Sequence, residues 1–246
     1  VLILINDFED AVPFQFKKFL IADEEERDDG PLRDDAGDLL LQFESPVVGV
    51  GGMCFDGELL WAGAYTTHRI TGVSLEGEVE YLFDSNPDPI SMTFDGEVLW
   101  VSNWSTSEIY TYDIEGNGIE QFNMNFGSIY GMASDREQYV FMHCNNDQQI
   151  HVISIDNHQE VTSFAFRQAM GNAEITGIEW VPDHPNGQLW GNAPGHLYQA
   201  FVDADWNVEA VSDFAWNSEN NPTEPAHDGE NMWHGSWDNN TWFMFD

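Results

Sequence analysis

A seven-residue phrase recurs along this 246-residue chain and constrains its fold more than any other feature. It reads Phe55-Asp56-Gly57-Glu58-Leu59-Leu60-Trp61, then Phe94-Asp95-Gly96-Glu97-Val98-Leu99-Trp100, then His227-Asp228-Gly229-Glu230-Asn231-Met232-Trp233. Asp-Gly between apolar runs supplies the positive φ of a tight hairpin turn, and the alternating residues after it form a strand that ends in a large aromatic ring. Two weaker copies, Ser134-Asp135-Arg136-Glu137-Gln138-Tyr139-Val140 and Pro185-Asn186-Gly187-Gln188-Leu189-Trp190, fill the gap. The Trp-equivalent positions 61, 100, 140, 190 and 233 lie 39, 40, 50 and 43 residues apart. Short strands repeated at that period stack as four-stranded units, which predicts an all-β, five-bladed β-propeller.

The second unit is the cleanest. Ile90 to Phe94 reads as its inner strand, Val98 to Ser102 as the second, Glu108 to Asp113 as the third and Gly118 to Phe122 as the fourth. The fifth unit stops at Asp246, directly after its third strand, Thr241 to Phe245, leaving a sheet edge with unpaired backbone groups. Leu39-Leu40-Leu41-Gln42-Phe43 is a strand without a unit of its own. It is expected to pair with the last blade and close the ring, so that residues 38–246 form the propeller.

The phrase, with Glu108-Ile109-Tyr110-Thr111-Tyr112-Asp113 after it, resembles the blades of the NHL, YVTN and streptogramin-lyase-like propeller repeats, a group that includes glutamine cyclotransferase. The resemblance covers roughly residues 47 to 246 and implies fold. Function does not follow from it, because propellers host binding, scaffolding and catalysis alike. Streptogramin lyases use a His and Glu constellation with a metal, and no local motif here carries those roles over. Five-bladed glycosidases place three carboxylates around the opening, and this sequence offers no convincing third.

Seven basic residues against 44 acidic ones give a formal charge of −37. The folded surface for this mass is about 11,000 Å², so one net charge falls on roughly 300 Å² and neighbours sit about 17 Å apart. That repulsion is only partly screened at ~0.1 M salt, where the Debye length is about 10 Å, and largely screened at ~1 M, where it is about 3 Å. Lys17 and Lys18 are the only lysines. The pattern resembles extreme haloarchaeal proteins and reads as adaptation to a hypersaline environment. Nucleic acid is excluded as a direct partner for want of a basic track.

No apolar run approaches the ~18 residues of a membrane helix, so no membrane insertion is expected. The chain opens at Val1 with neither Met nor a signal-peptide pattern, which reads as a processed or incomplete start. Cys54 and Cys144 fall two units apart and are expected as buried free thiols. Residues 1–37 lie outside the repeat and carry four of the seven basic residues. Their apolar and basic cluster, Phe14, Phe16, Lys17, Lys18 and Phe19, reads as an assembly arm that brings like-charged copies together. The other reading is an extra sheet along the propeller's side.

In propellers of this type the loops from second to third strands share one face with the segments entering the inner strands. That rule gathers Tyr65, His68, Asn103, Trp104, Asn145, Asn146, Asp147, Trp237 and Asp238 on one rim. Aromatic rings stack on sugar C–H faces while amides and carboxylates bond hydroxyls, so the rim is a candidate glycan-binding surface; the same residue types also build ordinary turns. Two glycosylation sequons, at Asn103 and Asn239, fall in equivalent loops of that rim. The alternative is a channel site around Glu179, a carboxylate among apolar neighbours, with His143, Glu224 and His227, where acid-base chemistry would sit. Asp203-Ala204-Asp205-Trp206-Asn207 begins like a calcium loop, but Val208 and Phe214 stand where Gly and Glu are required.

These observations converge on a non-enzymatic recognition module without a cofactor, surface calcium being left open. It would sit on an extracellular or virion surface and bind a host-envelope glycan or protein, in layout resembling a spike or turret decoration of a haloarchaeal virus. A homo-oligomer or larger assembly through the arm is expected. A secreted hydrolase or lyase acting at the channel mouth and a purely structural surface component are the alternatives.

Overall fold

The computed structural model describes residues 38–86, 88–103, 105–184, 186–215, 222–237 and 240–246; the arm residues Phe14, Phe16, Lys17, Lys18 and Phe19 lie outside them. Among the described residues, twenty strands form five antiparallel four-stranded sheets. After β1 (Leu39–Glu44), the first blade comprises β2 (Val50–Phe55), β3 (Leu60–Ala64), β4 (Arg69–Val73) and β5 (Val79–Asp84). The second comprises β6 (Pro89–Phe94), β7 (Leu99–Asn103), β8 (Glu108–Tyr112) and β9 (Gly118–Asn123), and the third β10 (Ile129–Ser134), β11 (Tyr139–Cys144), β12 (Gln149–Ser154) and β13 (Glu160–Ala165). The fourth has β14 (Gly177–Trp180), β15 (Leu189–Ala193), β16 (His196–Val202) and β17 (Val208–Ala215). The fifth runs from β18 (Ala226–His227) through β19 (Met232–Gly235) and β20 (Thr241–Phe245) to β1. The chain is a five-bladed β-propeller, as the repeat predicts.

Closure is by the early strand. β1 pairs antiparallel with β20, setting Leu39 opposite Phe245 and Phe43 opposite Trp242. The Phe43 ring packs 6.1 Å from Trp233 and 5.7 Å from Trp242, centroid to centroid. The edge the fifth blade would expose is thus hydrogen-bonded and covered.

The recurring phrase is a hydrogen-bonded unit. In the second blade, Asp95 Oδ1 accepts the Glu97 and Val98 amides at 2.8 Å, fixing the turn, while Oδ2 accepts the Trp100 indole N–H at 2.6 Å. Asp56 with Trp61 and Asp228 with Trp233 repeat it, at 2.7 and 2.6 Å. Each indole is buried against the neighbouring blade, and its one polar atom is satisfied by the carboxylate five residues earlier. The fourth blade lacks that Asp, and there the Trp190 indole donates to His184 Nδ1 at 3.2 Å.

The apolar core lies between blades. Trp61, Met92, Leu99 and Val101 pack the first against the second, and Phe141, Phe166, Ile178 and Leu189 pack the third against the fourth. Cys54 and Cys144 are both buried and free.

Candidate functional site

Aligning the blades on the register between their first and second strands superposes the five inner segments. Gly51, Ile90, Tyr130, Thr176 and Thr223 then share one position, and Gly52, Ser91, Gly131, Gly177 and Glu224 the next. Four members of the second ring are small because backbones meet there. A Cβ on Gly52 would lie 2.6 Å from the Met92 nitrogen, and one on Gly177 would lie 2.5 Å from the Glu224 Cα. Around five blades the inner strands crowd so closely that one long side chain fills the remaining space. Glu224 is that side chain.

Glu224 is fully buried. Its Oε1 accepts the Ser91 hydroxyl at 2.6 Å and also the Met132 amide, and its Oε2 accepts the Met92 amide at 2.7 Å. Inner strands are sheet edges whose inward N–H groups need acceptors, and this carboxylate serves the second and third blades from the fifth. Burial pushes its pKa well above the usual carboxylate range; the three hydrogen bonds oppose that shift, and Glu179 adds to it.

Above this plug the first ring floors a blind cavity of about 400 Å³. Its floor is Gly51, Ile90, Tyr130, Thr176 and Thr223, and its wall includes Asn145, Glu174 and Trp237. Amides of second-to-third-strand loops hydrogen-bond to the segments entering the inner strands, Tyr65 to the Gly49 carbonyl and Asn145 to the Ser128 carbonyl, both at 3.0 Å. That couples the rim to the floor. Trp237 is braced by Tyr65, ring centroids 5.3 Å apart. The Asp-Gly turns lie on the opposite face.

Of the rim residues anticipated from sequence, Asn145 and Trp237 line the cavity and Tyr65 supports it. His68 faces Asp88 at 2.7 Å, and Asn103 accepts the Ser105 amide at 3.1 Å. Asn146 accepts the Ser128 amide at 3.2 Å, and Asp147 pairs with His151 at 3.1 Å. Trp104 and Asp238 lie outside the described residues. Tyr130, Glu174, Thr176 and Thr223 escaped a reading based on loops. The signal for three of them was the shared inner-strand position.

Of the four residues of the alternative channel site, Glu179 and Glu224 lie near enough to interact electrostatically, while His143 and His227 sit apart from them. Glu179 occupies the same inner-strand position as Cys54, below the Glu224 plug and toward the turn face. It is 9% exposed and receives the Trp180 amide at 3.0 Å. Burial pushes its pKa to about 8, against the pull of the Arg136 guanidinium. Arg136 takes φ of 59° where the strong copies have glycine. Its guanidinium reaches from the third blade to the first, donating to the Phe55 carbonyl and passing 6.0 Å from the centre of the Phe94 ring. His227 lies on the turn face beside His184, ring centroids 5.1 Å apart. His143 is buried against Phe166 between the third and fourth blades. Burial holds both imidazoles at about 4. Among the described residues no three His, Cys, Asp or Glu side chains gather into a metal-holding group.

No family model and no curated protein matches the sequence. Similarity is found among solved structures. Glutaminyl cyclase of Myxococcus xanthus superposes with a TM-score of 0.67 at 12% identity, over 85% of this chain and 95% of that one. Hydrazine synthase of Kuenenia stuttgartiensis gives 0.51 at 17% identity, over 78% of this chain and 56% of that one. A streptogramin B lyase gives 0.47 at 15% identity, over 80% of this chain and 65% of that one. At these identities the likeness is one of fold, and the fold shared is the β-propeller.

Proposed function

We propose that this chain is a recognition module that binds a glycan in the blind cavity on its loop face. One observation carries the reading: the first inner-strand ring and the rim loops together build a cup of about 400 Å³ whose wall combines an aromatic ring, an amide and a carboxylate. A sugar presents C–H faces that stack on rings and hydroxyls that bond amides and carboxylates, and it is the ligand this wall complements. Glu224 supports a binding role rather than a catalytic one, since both its oxygens are engaged in joining blades. Display on a cell or particle surface in concentrated salt is part of the proposal; the charge of −37 with two lysines supports the salt.

A hydrolase or lyase is the second reading. It draws on Glu179, whose high pKa leaves it protonated at neutral pH as a general acid must be, and on the fold shared with glutaminyl cyclase.

The test is calorimetric titration of the wild type and of Trp237→Ala with a panel of oligosaccharides in molar KCl. At least one is expected to bind, about tenfold more weakly to the variant, as the loss of one stacking contact requires. Binding unchanged in Trp237→Ala, or none across the panel, would refute the reading.

A further inference from the structure

The charge on the cavity wall narrows the ligand further. Glu174 is an exposed carboxylate on that wall, brought there by the connection between the third and fourth blades. None of the described residues lining the cavity is Lys, Arg or His. Basic side chains are scarce throughout the described chain, which holds only Arg69, Arg136 and Arg167. Arg136 lies on the turn face, bonded to the Phe55 carbonyl, and Arg69 faces Asp84 at 3.4 Å. Arg167 donates to the Asn172 carbonyl at 3.1 Å and to Gln148 Oε1 at 3.4 Å, and the Gln148 amide bonds Asn145 of the wall, so its charge stands one side chain behind the cavity. Glu174 is thus the only Asp, Glu, Lys, Arg or His among the described residues lining the cup, and the groups there that could bind a cation are its carboxylate and the faces of Trp237 and Tyr130.

Resting on the glycan reading above, we infer that the cavity selects a cationic saccharide, one whose ring bears a free amino group. An ammonium substituent on a stacked sugar reaches a carboxylate and an aromatic face at once, a pairing that strengthens as water is displaced. An N-acetylated sugar offers only neutral hydrogen bonds there. A uronate brings a carboxylate toward Glu174 and is rejected.

Three ligands of equal length separate the outcomes: a glucosamine oligomer, its N-acetylated counterpart and a uronate oligomer. Each is titrated calorimetrically into the whole chain at about 0.2 M and about 2 M KCl. The expected order is amine, then acetamide, then uronate, with the amine about tenfold tighter than the acetamide at low salt, a margin that narrows as the Debye length falls. Amine binding weakens as pH rises through the amine's own pKa, while acetamide binding stays flat. Glu174→Gln narrows the gap between amine and acetamide, because the amine loses more affinity than the acetamide does. Equal affinity for amine and acetamide would overturn this inference and leave the glycan reading standing. Failure of all three, with failure of the wider panel, would remove both. Since Glu174 is exposed, a folding defect in its variant is not expected, and an unchanged melting temperature checks that point.

Discussion

The Ser91 hydroxyl donates to Glu224 Oε1 at 2.6 Å, linking the second blade to the fifth across the propeller axis. The same carboxylate takes the Met92 and Met132 amides, so the inner strands of the second and third blades both depend on one side chain from the fifth. Glu224→Ala strands two buried N–H groups and a hydroxyl and is expected to cost about 3–5 kcal/mol. Glu224→Gln keeps an acceptor but turns an NH₂ toward an amide hydrogen, for about 1–3 kcal/mol. Denaturant unfolding in concentrated KCl measures both, and a loss below 1 kcal/mol for the alanine variant would deny the plug its role.

The Asp–Trp clamp makes a graded prediction across blades. Asp95→Ala frees two turn amides and the Trp100 indole, for an expected loss of about 2–3 kcal/mol, and Asp56→Ala and Asp228→Ala should match it. In the fourth blade His184→Ala leaves only the indole unpaired and should cost about 1 kcal/mol. Melting temperatures of the four variants give the comparison.

Stability should respond to pH from both sides. Glu179 has its pKa raised from 4.5 to about 8 in the folded chain, so between those values the unfolded state has lost a proton that the native state keeps. Stability therefore falls as pH rises from about 4.5 to about 8, by an amount of order 5 kcal/mol from this group alone. His143, His227 and His234 run the other way. Burial lowers each from 6.5 to about 4, so the unfolded state binds protons the native state refuses, and stability falls as pH drops through that window. Glu179→Gln should reduce the decline toward pH 8, leaving the part that the raised Glu224 pKa contributes, and leave the acid limb intact. Arg136→Gly, which removes the guanidinium that draws the Glu179 pKa down, should move the decline to higher pH.

Salt should stabilise the fold. With 37 net negative charges, raising KCl from about 0.1 M to about 2 M shortens the screening length severalfold and relieves self-repulsion. The melting temperature is expected to climb across that range. A flat or falling curve would contradict the reading of the charge as salt adaptation.

The blades were legible because their signal is local. An Asp, a Gly and a Trp in a fixed order encode a turn, a positive φ and a satisfied indole within seven residues, so the pattern can be read without knowing what lies across the molecule. The closing strand was legible by subtraction, since β20 needed a partner and Leu39 to Phe43 had none. The cavity was harder. Tyr130, Thr176 and Thr223 share a position but no chemistry, and they meet only because the ring is round. Glu174 sits in a connection that no other blade matches. Glu224 looked like a candidate for chemistry beside Glu179 and His143. Its meaning lies in the four small residues at the equivalent positions, which leave it the only side chain long enough to cross the axis. His143 points between blades instead of along the channel, an orientation set by strand alternation that a list of titratable residues does not contain.

The most direct measurement is a crystal structure grown with the tightest-binding oligosaccharide. The account predicts density stacked on Trp237, with polar atoms within hydrogen-bond distance of Asn145 and Glu174 and nothing passing the Glu224 plug. Density at the opposite mouth, beside Arg136 and Glu179, would contradict it.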